Sequence, residues 1–191
     1  MGPAFPAATK GRMIRLFTAL SVPDEVAEAL ARRQTGLPGA AWRTADQLHI
    51  TLAFYGEIDE RRADDLAVEL QRAATGGPFE VTLSGVGAFG DGHRTRAIWA
   101  GVEANERLSV LAGRCRSAAE RAGVRIERRD YRPHVTLAYL KAQADPDRIG
   151  AWIAEHNLLQ SPPFRIDRFG LWSSVLTQDG SRYDLEREYL L

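Results

Sequence analysis

Six residues occur almost unchanged at two places in the chain. It reads HITLAF at 49–54 and HVTLAY at 134–139, keeping the histidine and threonine while trading one apolar residue for another. His49 and His134 stand 85 positions apart in 191 residues. A chance match of this quality is expected about once in fifty such chains. The repeat therefore points to internal duplication.

Each copy reads as a strand, in which alternate side chains share a face. His49 and Thr51 then point one way, while Ile50, Leu52 and Phe54 point the other. In the second copy His134 and Thr136 project together, with Val135, Leu137 and Tyr139 expected to pack under helices. Residues at i and i+2 lie roughly 6.5 to 7 Å apart along a strand, wide enough to grip one phosphate between a ring nitrogen and a hydroxyl. Two such strands facing across a cleft supply two imidazoles and two hydroxyls.

That set can open a cyclic phosphate. A neutral histidine takes a proton from the attacking water or alcohol, and a protonated one returns a proton to the leaving ribose oxygen in an in-line displacement. The threonines donate to the non-bridging oxygens, where charge gathers in the transition state. Histidine suits both roles because its unperturbed pKa lies near 6.5. A metal site is the rival reading, but neither motif places a cysteine or carboxylate at ligand spacing beside its histidine, and threonine is a poor zinc ligand. Asp46 and Asp130 precede the two histidines as candidates to orient the rings, or as turn residues.

Around the motifs the pattern gives strands at 13–20, 79–89, 96–103, 164–176 and 182–190, and helices at 59–74, 106–123 and 145–159. A further helix over 21–33 takes Ser21 as its cap and Pro23 in its first turn. Gly123 marks a left-handed stop, Pro133 a strand start, and Asp179-Gly180 a tight turn. Strands alternate with helices except for two adjacent strand pairs, which argues for an α+β architecture with sheets covered by helices on one side.

Composition excludes some classes. Twenty-five basic residues balance twenty-five acidic ones, so the chain lacks the broad positive field of a protein that coats long nucleic acid. Apolar residues make up 45% yet never run for the roughly 18 positions of a membrane helix. Residues 1–12 lack the apolar stretch of a secretory signal and read as a flexible tail, or as residues ahead of a true start at Met13. A cytoplasmic protein without a membrane partner is expected. The single cysteine, Cys115, shares a helical face with Leu108, Leu111 and Ala119 and reads as core. His93 and His156 carry no pattern and read as surface residues.

The paired motifs, together with RLFTALSVPDEV, LHITLAFYGEI, RAIWAGV, YRPHVTLAY and GSRYDLEREYLL, resemble the two-histidine phosphoesterase superfamily. The likeness is strongest to its RNA 2′,3′-cyclic phosphodiesterase branch, also called the 2′-5′ RNA ligase family. It implies a bilobal α+β fold with pseudo-twofold symmetry over residues 13–191, a single domain. Antiparallel-rich sheets would line a central cleft holding His49, Thr51, His134 and Thr136, with helices outside. It also implies hydrolysis of RNA 2′,3′-cyclic phosphate ends to 2′-phosphate ends by a monomer without metal, ATP or other cofactor, tRNA fragments being one source of such ends. Reversible 2′-5′ joining would be a side activity, with an RNA 5′-hydroxyl in place of water. The family pattern makes His49 the acid and His134 the base. The family often has arginine at the sixth position of the second motif, where this chain has Tyr139; Arg132 is a candidate substitute or the partner of an acidic neighbour. Phe17 and Tyr55 are candidate base-stacking surfaces, with core packing the alternative for each. Two other functions fit the motifs: cleavage of a small nucleotide cyclic phosphate, and RNA-end binding without turnover.

Overall fold

The computed structural model describes residues 13–90, 94–127, 130–142, 144–177 and 180–191; the tail at 1–12, His93 and Asp179 lie outside the described residues. The first half runs β1 (Met13–Ser21), α1 (Asp24–Ala31), β2 (Ala40–Trp42), a 3-10 turn (Ala45–Gln47), β3 (His49–Asp59), α2 (Glu60–Ala73), β4 (Phe79–Val81) and β5 (Leu83–Gly90). The rest is β6 (Thr95–Val102), α3 (Glu106–Arg121), β7 (His134–Leu140), α4 (Pro146–His156), β8 (Phe164–Ile166), β9 (Arg168–Thr177) and β10 (Gly180–Leu190). Two expected strands are each divided. The run at 79–89 breaks at Thr82 and that at 164–176 at Asp167, because β4 and β8 leave the main sheet to pair with each other.

Helix ends follow local chemistry. Asp59 accepts from Arg62 N at the start of α2, and Asn105 accepts from Leu108 N at the start of α3. Ser21 does not cap α1: β1 continues through it to pair with His49, and the amides of Val26 and Ala27 turn back to the Pro23 carbonyl instead. Gly123 has φ +68° after α3, and the next amide, Val124 N, donates to Ala119 O. Leu66 and Leu70 of α2 and Leu108, Leu111 and Cys115 of α3 are buried, and the two helices pack on each other and on β3. Burial pushes the Cys115 thiol up to about 12, so it is an inert core residue.

The main sheet has eight strands in the order β10-β9-β1-β3-β7-β6-β5, with β2 also paired to β7, and its pairings are antiparallel. Its middle is thin. β3 and β7 meet through one registered pair, Ile50 with Val135, whereas β1 pairs with β3 along nine positions. Partners in an antiparallel ladder point to the same side. Ile50 and Val135 are both buried, which leaves His49, Thr51, His134 and Thr136 on the opposite face. Continuing the register by one residue sets His49 across from Thr136 and Thr51 across from His134.

Strict alternation fails at the same place in both copies. Between Thr18 and Ala19 the β1–β3 register skips Leu52, and between Ile98 and Trp99 the β6–β7 register skips Leu137. Each is a β-bulge, which re-aims the side chains beyond it. Leu52 and Ala53 are consecutively buried, as are Leu137 and Ala138, and the next residue turns outward. Phe54 (48% exposed) and Tyr139 (51%) therefore do not pack under the helices as period-two alternation predicts. No described helix is long and apolar enough to cross a membrane.

Candidate active site

A cleft of about 1330 Å³ opens over the seam between β3 and β7. His49, Thr51, His134 and Thr136 all line it, as do Arg132 and the bulge-turned Phe54 and Tyr139. The i, i+2 spacing places each histidine and threonine on one face, and the single seam pair brings the two sets together.

Both imidazoles are held by the same local contact. His49 Nδ1 lies 2.8 Å from Gln47 O, and His134 Nδ1 lies 2.7 Å from Arg132 O. A carbonyl only accepts, so Nδ1 carries the hydrogen and donates it, leaving Nε2 as the nitrogen that exchanges a proton. Backbone carbonyls thus do the orienting for which Asp46 and Asp130 were candidates. Aromatic rings fix the remaining freedom. His49 packs against Phe17 (centroids 5.1 Å apart) and edge-on to Tyr183 (5.3 Å), while His134 packs edge-on to Phe89 (4.8 Å).

Burial is the largest influence on both rings and favours their neutral forms. It lowers His49 from 6.5 to about 4; the Gln47 carbonyl opposes this, while the Arg43 charge and His134 add to it. His134 is also lowered by burial, against the Arg132 carbonyl. An anion entering the cleft acts in the opposite sense by stabilising imidazolium. The Thr51 and Thr136 hydroxyls have no protein partner among the described residues, so both can donate to such an anion.

The other sequence candidates divide. Arg132 is exposed on the cleft wall. Phe17 is 5% exposed and sits behind the His49 ring, supporting it rather than offering a face to a base. Tyr55 borders the cleft but is only 3% exposed, with its hydroxyl 2.9 Å from Thr18 Oγ1, which matches the core-packing alternative. His156 stacks on Trp152 of its own helix. Sequence reading misses Arg43, Tyr183 and Phe89. Tyr183 lies within the GSRYDLEREYLL stretch, but nothing there marks one tyrosine over another, and Arg43 belongs to no motif.

Fold and site together define an α+β protein whose antiparallel seam presents two imidazoles and two threonine hydroxyls to one cleft. Residues 22–177 match the model of the 2′-5′ RNA ligase superfamily, and the chain belongs to that superfamily. The RNA 2′,3′-cyclic phosphodiesterase of Thermotoga maritima is 32% identical over 177 residues, covering 89% of this chain and 91% of the relative. A crystal structure of a protein from Thermus thermophilus superposes with a TM-score of 0.76 at 28% identity, covering 93% of this chain and 97% of the other. That of E. coli LigT complexed with 3′-AMP gives 0.75 at 26%, covering 94% and 99%.

Proposed function

We propose that the chain hydrolyses RNA 2′,3′-cyclic phosphate ends to 2′-phosphate ends by acid–base catalysis, with no metal or ATP. The observation that carries this reading is the seam itself: two histidines with locked Nδ1–H groups and two threonine hydroxyls, unpartnered among the described residues, on one face of one cleft. The name of the Thermotoga relative and the nucleotide held by the E. coli neighbour support it.

The cyclic phosphate sits on the histidine and threonine face of the seam, opposite the buried Ile50 and Val135 side chains. His134 Nε2 takes a proton from water as the water oxygen bonds to phosphorus, and the bond from phosphorus to O3′ breaks as His49 Nε2 protonates that oxygen. The product carries a 2′-phosphate and a 3′-hydroxyl, and solvent returns one proton to His49 and removes one from His134. Thr51 and Thr136 donate to the non-bridging oxygens throughout. His49 is well suited to the acid role once protonated, because a ring whose environment disfavours its charge gives its proton up readily. Joining uses the same geometry, with an RNA 5′-hydroxyl in place of water.

The size and charge of the cleft favour RNA over a small nucleotide. Its volume of about 1330 Å³ exceeds the roughly 300 to 1,000 Å³ usual for a small-molecule site, and Arg96, Arg116, Arg125 and Arg132 stand along its wall. The test is turnover of a short RNA ending in a 2′,3′-cyclic phosphate. His49→Ala and His134→Ala are each expected to lower kcat/KM by about 10² to 10⁴, the usual contribution of a general acid or base. An unmutated protein that binds the RNA and leaves its end intact would make this a binding protein instead.

A further inference from the structure

The sixth position of the second motif is the uncharged Tyr139, so β7 brings no cation to the cleft there. A cation arrives from another element. Arg43 follows β2, and its backbone N–H donates to Leu137 O (2.9 Å), the carbonyl of the bulge residue itself. Its guanidinium lies over the Tyr139 ring, 5.5 Å from the centroid, and over the Tyr183 ring at 5.6 Å. Nη2 donates to Tyr183 Oη at 3.1 Å.

Arg43 is only 9% exposed, yet no described carboxylate pairs with it. A buried guanidinium keeps its charge and is costly without an anion. Two aromatic faces offset part of that cost. The tyrosine takes one of its five N–H donors, and the residue lines the cleft beside His49.

We infer that Arg43 is the phosphate-holding cation of this cleft: its guanidinium donates to a non-bridging oxygen of the cyclic phosphate, while Tyr139 and Tyr183 fix its plane. The inference rests on the phosphodiesterase reading. It also gives Tyr139 a purpose, since the bulge that turns this ring outward makes it the shelf on which the guanidinium lies.

The experiment measures kcat/KM on cyclic-phosphate RNA and, separately, calorimetric binding of inorganic phosphate. It compares wild type, Arg43→Gln, Arg43→Lys, and Arg43→Gln combined with Tyr139→Arg. Arg43→Gln is expected to weaken phosphate binding and to lower kcat/KM by about tenfold to a thousandfold, the range for losing a transition-state contact. Arg43→Lys recovers part of this, because a point charge replaces a fork. Adding Tyr139→Arg to Arg43→Gln restores activity by supplying the cation from β7, which a merely structural role for Arg43 does not predict. A folded Arg43→Gln protein with unchanged phosphate affinity and kcat/KM overturns the inference. If glutamine unfolds the site, Arg43→Lys carries the test, and phosphate affinity equal to wild type overturns it. Phosphate titration needs no turnover, so the two readings fail separately. Phosphate binding through Arg43 in a protein that leaves the cyclic end intact sinks the hydrolase and keeps this role, whereas a hydrolase indifferent to Arg43 sinks this role alone.

Discussion

At the scale of single residues, the two histidines differ from free imidazole in a direction that can be measured. Burial holds both below 6.5, His49 at about 4, so in the free protein the imidazolium needed as acid fades as pH rises toward neutrality. kcat/KM reports the free protein and needs one ring charged and one neutral. Its pH profile is therefore expected to be a bell with its maximum below 6.5. The maximum of kcat is expected at higher pH, because bound phosphate favours imidazolium. A kcat/KM that climbs steadily through alkaline pH would contradict the pairing. The His-x-Thr sets were legible because a strand's period of two needs no tertiary knowledge. Arg43 was not: its partners Tyr139 and Tyr183 lie far along the chain, and no local pattern distinguishes it from the other arginines.

At the scale of elements, the repeated strand contains something its letters do not show. Alternation predicts Phe54 inside with Leu52; the bulge at Leu52 buries Ala53 and turns Phe54 out. A register slip of this kind depends on the neighbouring strand, so it cannot be read from β3 alone. Leu52→Ala is expected to cost about 2 to 5 kcal/mol in urea unfolding and Phe54→Ala less than about 1 kcal/mol. Equal costs would mean that both side chains face the core and that no bulge forms in solution. The same reasoning accounts for Ser21, whose cap chemistry was plausible until β1 claimed its backbone for pairing with His49.

For the molecule as a whole, the order of the long strands and helices was legible, but the short β2 and the breaks that separate β4 from β5 and β8 from β9 were not, and neither was the sheet order. That β3 lies beside β7 is a long-range pairing, and the cleft exists because those two strands share one pair and then part. The chain's net charge is zero, so attraction for RNA has to come from the local wall of arginines rather than from an overall field. KM for an RNA of several nucleotides is accordingly expected to rise with salt more steeply than KM for a nucleoside 2′,3′-cyclic phosphate. Equal slopes would place only the terminal phosphate in contact with the protein.

The most direct test is to incubate a short RNA bearing a 2′,3′-cyclic phosphate with the protein in excess EDTA without ATP, and to identify the terminal phosphate of the product, with His49→Ala and His134→Ala alongside. Two-histidine catalysis predicts a 2′-phosphate end from the unmutated protein and an intact cyclic end in both variants. A substrate that stays cyclic until metal is restored, or that is opened equally well without either histidine, would contradict it.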